Sequence, residues 1–264
     1  MILGAQLFTL RNFCKTPEAL DETLKKVADI GFTAVQLSGV CAYDAEWVAE
    51  RCREYGLKIV ITHFDYNKII NETEETIAFH KKMDCPYIGL GSAKGAMLGD
   101  SYNNLVNEIP EAVEKIAAAG LKFMYHNHNQ EFARNPETGN LFIDDLCARF
   151  PAEQVGITLD TFWVQAGGAD PAAWIRKLKG RTPVVHFKDM SVYVHLPEGE
   201  KWPKRDQRIA AIGEGNMNYD AIIEACLESG VEYGFVELDD CYGADPFDAM
   251  KRSYEFLTTR YGLK

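Results

Sequence analysis

The chain has 264 residues, a formal charge of −11 at neutral pH, 47% hydrophobic residues and 25% charged residues. This composition is ordinary for a globular protein and excludes a disordered chain, a collagen-like chain and a coiled coil. The acidic excess repels phosphate backbones and disfavours general nucleic-acid binding, and no apolar stretch approaches the roughly 18 residues that span a bilayer.

Eight short apolar or β-branched runs alternate with segments whose apolar residues fall at helical spacing. The runs predict strands at Ile2–Phe8, Thr33–Leu37, Lys58–His63, Tyr87–Leu90, Lys122–Asn127, Val155–Asp160, Pro183–Phe187 and Gly234–Leu238. Eight units of about 33 residues fit a closed (β/α)₈ TIM barrel, an α/β fold that would occupy residues 1–264 as a single domain. The alternative is an open doubly wound sheet, but neither GxGxxG nor GxxxxGK[ST] follows the first strand.

Helix boundaries agree with this alternation. Thr16, Asp170 and Asp245 each precede a proline, as an N-cap residue precedes a proline in the first helical turn. Glycines suited to a left-handed helix end lie between predicted helices and strands at Gly31, Gly56, Gly120, Gly180 and Gly230.

The connection after the seventh strand, residues 189–215, is unusually long and shows no helical pattern. It holds Trp202 among the basic residues Lys201, Lys204, Arg205 and Arg208. Loops of this length are usually functional or disordered. In a barrel, this loop would lie over the active-site face and could be functional. A solvated insertion or a subunit contact is an equally good interpretation of it.

The seven cysteines are odd in number, are scattered along the chain, and form no CxxC pair. This pattern argues against a disulfide framework and a cysteine-based zinc site. The N-terminal segment has no basic region and no cleavage signal. We therefore expect a cytoplasmic protein.

Polar residues cluster where four consecutive predicted strands end, within Tyr125–Phe132, Thr158–Trp163, Val185–Asp189 and Val236–Asp240. Catalytic residues of a (β/α)₈ barrel lie at these C-terminal ends. Taken singly, the aspartate is typical of a helix N-cap and the histidine of a core residue. Together the four strands offer two carboxylates, an imidazole and a third carboxylate. Burying these groups without partners would destabilise the fold. A divalent cation would satisfy them, with Mn²⁺ or Mg²⁺ favoured and Co²⁺ or Zn²⁺ as alternatives.

At these strand ends the sequence resembles the sugar phosphate isomerase/epimerase family of xylose isomerase-like barrels. The motifs that carry the resemblance are the opening strand Leu3–Arg11, the HNH…EF run in Tyr125–Phe132, Leu159-Asp160-Thr161, His186-Phe187-Lys188-Asp189, Gly213-Glu214-Gly215 and Val236-Glu237. They are specific for the superfamily and leave the substrate open. Its members include hydroxypyruvate isomerase, ketose 3-epimerases, inosose dehydratase and lyases that act on 3-keto-glycosides.

The resemblance implies one metal ion held by Glu, Asp, His and Glu. Asp160, His186 and Glu237 match this pattern, and Glu131 is the expected fourth ligand, although it lies slightly beyond the fifth strand. The alternative is that His126 or His128 replaces Glu131 and that Glu131 contacts the substrate.

Such an ion polarises a carbonyl and stabilises the enediolate formed when the neighbouring carbon loses its proton. The resemblance implies that the ligand carboxylates, here Glu131 and Glu237, can perform the proton transfer. Here His126 or His128 is the favoured proton-transfer group, because the usual histidine pKa lies near neutrality. Return of the proton to a neighbouring carbon gives isomerisation, return to the opposite face gives epimerisation, and loss of a β-substituent gives elimination.

Other polar residues are expected to contact the substrate. His63, Gln6 and Gln36 would bind hydroxyl groups, and Trp163 would offer an aromatic face to a sugar ring. Buried polar packing is an equal alternative for the two glutamines. Lys188 would balance the charge of the carboxylates or contact an oxyanion. Glu214 would bind a substrate hydroxyl or remain a solvated loop residue. His80 is expected on a helix surface.

The leading hypothesis is a metal-dependent sugar isomerase or epimerase with a small carbohydrate as its partner. The second is a lyase or dehydratase acting on a keto-sugar, a keto-glycoside or an inosose. Apurinic endonucleases share this type of barrel, but the charge of −11 argues against a nucleic-acid substrate. A non-catalytic sugar-binding or structural subunit is the fourth possibility, and a homo-oligomer or a partner subunit is left open.

Overall fold

Strands and helices alternate along the chain, which we describe from a computed structural model at residues 1–92 and 100–264. The strands are β1 (Ile2–Gln6), β2 (Ala34–Leu37), β3 (Lys58–His63), β4 (Tyr87–Leu90), β5 (Lys122–His126), β6 (Val155–Asp160), β7 (Val184–Phe187), β8 (Asp189–His195), β9 (Lys204–Ala210) and β10 (Tyr233–Val236). The α-helices are α1 (Pro17–Ile30), α2 (Ala45–Glu54), α3 (Tyr66–Asn71), α4 (Thr73–Lys82), α5 (Asp100–Glu108), α6 (Pro110–Ala118), α7 (Phe142–Arg149), α8 (Thr161–Ala166), α9 (Pro171–Lys177), α10 (Tyr219–Ser229) and α11 (Pro246–Tyr261), with 3₁₀ turns at Leu7–Phe13 and Gln130–Phe132.

Eight of the strands close into a parallel barrel. β1 to β7 follow one another around the ring, and β10 closes it between β7 and β1. Each barrel strand overlaps a predicted one and ends within two residues of it. The (β/α)₈ architecture expected from the sequence is thus confirmed.

The helix boundaries also follow the sequence signals. The side chains of Thr16, Asp170 and Asp245 each accept a hydrogen bond from the backbone N–H three residues ahead, as N-caps do. The five predicted glycines all have positive φ. Gly230 is a clear case, since it ends α10 with φ 75° and a residue with a Cβ would be strained there.

The segment expected to be a long loop is largely a two-stranded antiparallel hairpin, which corrects that expectation. β8 and β9 pair from Asp189 opposite Ala210 to His195 opposite Lys204. Residues 192–194 are all exposed, so both faces of β8 meet solvent there. The strand therefore lacks the alternation of apolar and polar residues by which a half-buried strand is recognised. Within the part of the chain that the structure describes, no hairpin residue lines the two cavities at the barrel mouth.

The apolar core lies mainly between the barrel and its surrounding helices. Its largest cluster joins strand residues such as Ile157 with helix residues such as Leu24 and Leu257. A smaller cluster consists of strand residues, among them Met124 and Phe235. Among the described helices, none has both the length and the apolar character of a transmembrane segment.

His80 is buried, contrary to the expectation of a helix surface. Its Nδ1 donates to the carbonyl oxygen of Thr76 at 2.7 Å, and its Nε2 lies 2.8 Å from the Thr62 hydroxyl. The buried face of α4 consists of Thr73, Thr76 and His80. The sequence pattern missed this face because it is polar and every member finds a hydrogen-bond partner within the fold.

Candidate metal centre

Four buried side chains converge where the barrel strands end. His126 and Asp160 are the last residues of β5 and β6, His186 lies in β7 beside Asp160, and Glu237 directly follows β10. One ligand atom from each side chain lies within 4.8 Å of the other three. Ligand atoms lie about 2.0–2.6 Å from a divalent cation, so two of them on opposite sides of one ion are up to about 5 Å apart and this spacing fits a single cation.

Hydrogen bonds fix the orientation of both imidazoles. Nδ1 of His126 donates to the carbonyl oxygen of Gly91 at 3.2 Å, and Nε2 of His186 donates to Oε1 of Gln36 at 2.6 Å. When the rings are neutral, the remaining ring nitrogens, Nε2 of His126 and Nδ1 of His186, therefore present lone pairs to the cluster. Metal-binding histidines are held in this way by an oxygen on their distal nitrogen.

The lone pairs meet carboxylate oxygens rather than donors. Nε2 of His126 lies 3.3 Å from Oδ2 of Asp160, and Nδ1 of His186 lies 2.8 Å from Oε2 of Glu237. Both atoms of the second pair are buried and lack a partner with hydrogen-bond geometry. Two facing acceptors repel each other, so the pair requires either a proton on Nδ1 of His186 or a metal ion bound to both atoms, and the donor set fits a metal ion.

Asp160 serves the helix and the cluster at the same time. Its Oδ1 caps α8 by accepting from the backbone N–H of Trp163 at 3.0 Å, while Oδ2 faces the histidines. Its own backbone N–H donates to Oδ1 of Asn127 at 3.0 Å. One oxygen of this carboxylate is thus an N-cap, and the other faces the cluster, where it could be a ligand.

Lys188 lies among the carboxylates and is 1% exposed. Its Nζ is 2.9 Å from Oδ2 of Asp160, 3.1 Å from Oε2 of Glu237 and 2.8 Å from Oδ2 of Asp239. Burial opposes its charge, but these three carboxylates raise the pKa of Lys188. Three carboxylates and one ammonium leave two negative charges, which a divalent cation would neutralise.

Burial also controls the other ionisable groups. Desolvation, followed by the neighbouring His186, lowers the pKa of His63 to about 3 and holds the pKa of His126 well below its usual range. Burial opposes ionisation of Glu237, but Lys188 and His186 lower its pKa below the ordinary value. The described cluster thus combines a neutral His126 with an ionised Glu237, and both are the protonation states that bind metals.

Gln6 and Gln36, expected to bind substrate hydroxyls, instead hold two cluster residues. Nε2 of Gln6 donates to Oε1 of Glu237 at 3.1 Å, and Oε1 of Gln36 accepts from His186. Oε1 of Gln6 in turn accepts from the backbone N–H of Phe8. Both glutamines are fully buried. The position of Gln6 agrees with the alternative of satisfied polar packing in the barrel, whereas Nε2 of Gln36 is buried without a hydrogen-bond partner.

The structure does not bring Glu131 into the cluster. Its carboxylate accepts from the Tyr125 hydroxyl at 2.8 Å and from the backbone N–H of His128 at 2.7 Å. The fourth member is His126, one of the two alternative ligands considered for this strand, the other being His128. Glu131 lies in the 3₁₀ turn after β5, where the chain has left the strand direction that aims side chains at the barrel axis.

A cavity of about 510 Å³ opens above the cluster. His63, His126, His128, Glu237 and Asp239 contribute to its lining. Nε2 of His63 and Nδ1 of His128 are buried without a hydrogen-bond partner. These two nitrogens are therefore available to a bound molecule.

The last two expected substrate contacts differ in position. The Trp163 ring packs against His128 with centroids 5.3 Å apart, so it borders the site. Glu214 instead pairs with Arg252 at 2.6 Å on the protein surface, which agrees with the solvated alternative. Sequence reasoning assigned no role to Asn127 or Asp239, although both stand in the strand-end motifs that indicated the site.

Fold and site together define a closed parallel barrel with a buried cluster that could bind a metal ion at its C-terminal mouth. The chain belongs to the xylose isomerase-like TIM barrel family, whose family model matches residues 24–260. No curated protein matches the chain.

Solved structures share this fold over nearly the whole chain. A sugar phosphate isomerase/epimerase from Parabacteroides distasonis ATCC 8503 is 22% identical, with 99% of each chain covered and a TM-score of 0.78. A probable 3-DHS dehydratase from Bacillus anthracis is 18% identical over 98% of this chain and 100% of its own, with a TM-score of 0.72. The IOLI protein with a bound zinc atom is 17% identical over 99% of each chain, with a TM-score of 0.68.

Proposed function

We propose that this chain is a metal-dependent sugar isomerase or epimerase that moves a proton next to a carbonyl. The observation that carries the proposal is the convergence of four buried ligand atoms, from His126, Asp160, His186 and Glu237, within 4.8 Å of one another beneath an open cavity. A cation placed there would be held by the protein and remain accessible to a substrate from the cavity.

His126, Asp160, His186 and Glu237 would hold the ion. When bound, a divalent cation supplies Lewis-acid stabilisation for negative charge that develops on substrate oxygens. Two imidazoles and two carboxylates suit Mn²⁺, which we propose as the natural ion, and Zn²⁺ is the next candidate. The zinc atom in the structurally similar IOLI protein supports the second choice.

His128 is the group best placed to move the substrate proton. Its Nδ1 has no partner, and its backbone N–H is fixed by Glu131, so the ring is positioned while its nitrogen stays available. His126 would be occupied as a ligand, and the Glu131 carboxylate accepts three hydrogen bonds. General acid–base catalysis of this kind contributes about 10²–10⁴-fold to the rate.

A lyase or dehydratase acting on a keto-sugar, a keto-glycoside or an inosose is the second candidate. Elimination needs a group that supports the departing substituent, and Nε2 of the neutral His63 ring is a second unpartnered nitrogen at the same cavity that would donate a hydrogen bond to it. The similarity to a probable dehydratase supports this alternative. We place the activity in the cytoplasm because the seven cysteines are odd in number and form no CxxC pair.

The test combines metal analysis with proton exchange. Protein stripped with a chelator is reloaded with Mn²⁺, Zn²⁺, Mg²⁺ or Co²⁺, and one equivalent of bound metal is expected. NMR in D₂O with a panel of ketopentoses and ketohexoses then follows deuterium entering the carbon next to the carbonyl. The proposal predicts metal-dependent exchange that His128→Gln reduces by about 10²-fold or more while retaining the metal.

Asp160→Asn is the matched control, because it is expected to lose both metal and exchange. Loss of a substituent without a rearranged sugar would favour the lyase. Full exchange in the chelated protein would overturn the proposal.

A further inference from the structure

A second cavity of about 310 Å³ adjoins the one above the metal centre. The two share Ser38, His63 and Phe64 in their walls. We propose that this second cavity is a subsite for a neutral apolar substituent of aromatic size, so that the substrate is a carbohydrate carrying such a group rather than a bare or phosphorylated sugar. This inference rests on the proposed carbohydrate function and deepens it.

Three aromatic rings make the lining of the second cavity largely apolar. Tyr43 follows β2, Phe64 follows β3, and Phe79 lies in α4. Phe79 contacts both other rings, with centroid distances of 5.7 Å to Tyr43 and 5.5 Å to Phe64. All three rings are only partly buried, although each packs against the core on its other side. An apolar ligand group would bury the remaining ring surface, which is favourable by the hydrophobic effect.

His63 stands at the junction of the two cavities. Its Nδ1 lies 3.1 Å from the Ser38 hydroxyl, and its Nε2 is buried without a partner. A molecule that extends from the metal centre into the second cavity passes the His63 side chain, which lines both cavities. The linking atom of a glycoside is an oxygen, which accepts a hydrogen bond from the N–H of a neutral imidazole.

Size and charge restrict the substituent. A dry cavity of about 150 Å³ already admits benzene, so the second cavity has room for one aromatic ring and its substituents. The rim carries Lys68, Glu72 and Glu75, and the lysine ammonium lies over the Phe64 ring, 6.0 Å from its centroid. One cation beside two carboxylates disfavours a phosphate or carboxylate group. The described lining thus suits a neutral substituent.

Phenol is the probe for this subsite, because it carries the aromatic ring without a sugar. Its affinity for the metal-loaded protein is measured by ligand-observed NMR titration. Ala42 is exposed and lines only the second cavity, so Ala42→Trp fills the subsite without disturbing the core. We expect this variant to weaken phenol binding by about tenfold or more, as loss of one buried ring contact would. Ala42→Ser should bind phenol like the parent protein.

Asn67→Trp provides the second control, since Asn67 is exposed and lines only the cavity above the metal centre. It should leave phenol binding unchanged. No phenol binding by the parent protein, or binding that survives Ala42→Trp but is lost in Asn67→Trp, would overturn the subsite.

Metal content and deuterium exchange are recorded on the same samples. Intact exchange without phenol binding rejects only the subsite. Phenol binding without metal-dependent exchange rejects the proposed enzyme and with it the assignment of the substituent to a sugar.

Discussion

The end of β7 and the hairpin that follows it are adjacent in sequence and opposite in character. Lys188 is 1% exposed and bonded to three carboxylates, whereas Trp202 at the far end of the hairpin is 81% exposed. Asp189 separates the two regions, and its carboxylate accepts backbone N–H groups from Gly213 and Gly215, where the chain returns. Charged side chains are buried at the barrel mouth because several strands supply partners for them. The hairpin has few such partners, and most of its charged side chains stay exposed.

The largest effect should follow from removing the buried ammonium. Lys188→Met leaves the carboxylates of Asp160 and Glu237 buried without their cation, and breaking a buried ion pair in this way costs about 3–5 kcal/mol. We expect that loss in the unfolding free energy of the chelated protein, measured by denaturant titration. Saturating Mn²⁺ should stabilise the variant more than the parent, because the metal then supplies the missing positive charge.

Lys204→Met is the matched control in the hairpin. Lys204 pairs with Glu200 at 3.4 Å, and both side chains are more than half exposed. Such pairs contribute about 0–1 kcal/mol, so the control should unfold almost like the parent. Equal losses in the two variants would contradict the contrast between the two regions.

The next effect concerns the glutamine that orients a proposed ligand. Gln36→Leu removes the acceptor of the His186 Nε2 proton, so Nδ1 is no longer held toward the cluster. Loss of such a supporting hydrogen bond typically weakens metal affinity by about 10–100-fold. Competition with a fluorescent chelator measures the change. Gln36→Glu keeps an acceptor at this position and should retain most of the affinity, whereas equal affinity in the leucine variant would show that Gln36 does not orient the ligand.

A smaller effect should appear in the pH dependence of the chelated protein. Burial lowers the pKa of His80 to about 4 and that of His63 to about 3, so both stay neutral in the fold below the usual histidine pKa near 6.5. The unfolded chain takes up these protons first, and the unfolding free energy therefore falls as the pH drops from about 6.5 toward 4. Each group contributes a slope of up to about 1.4 kcal/mol per pH unit.

His80→Gln isolates one of these contributions, since it lies away from the metal centre on α4. Denaturant titrations between pH 7 and pH 5 should show a shallower slope for this variant than for the parent. An unchanged slope would mean that His80 protonates equally in both states.

Local periodicity predicted the barrel because parallel strands and their covering helices repeat in every unit. It also located Asp160, His186 and Glu237, since side chains at the ends of successive strands meet at one mouth. The sequence could not assign the roles of the two glutamines. Gln6 lies 231 residues from Glu237, and no local spacing encodes a hydrogen bond between such distant residues.

The fifth strand shows the same limit at shorter range. Whether His126 or Glu131 faces the cluster depends on where β5 gives way to a 3₁₀ turn, and strand ends are the least certain feature of a sequence pattern. The hairpin was missed because exposure on both faces removes the alternation that marks a strand.

The smallest effect on stability should come from the hairpin tip. Trp202→Ser removes a side chain that is 81% exposed, and surface substitutions of this kind usually change the unfolding free energy by within about 0.5 kcal/mol. Metal affinity should also be unchanged, because no hairpin residue lines the described cavities. Sedimentation of the same variant tests the expectation of a subunit contact: a fall in oligomeric mass with unchanged metal content would assign Trp202 to that contact. An unchanged oligomeric mass would show that Trp202 does not contribute to an interface between copies of the chain.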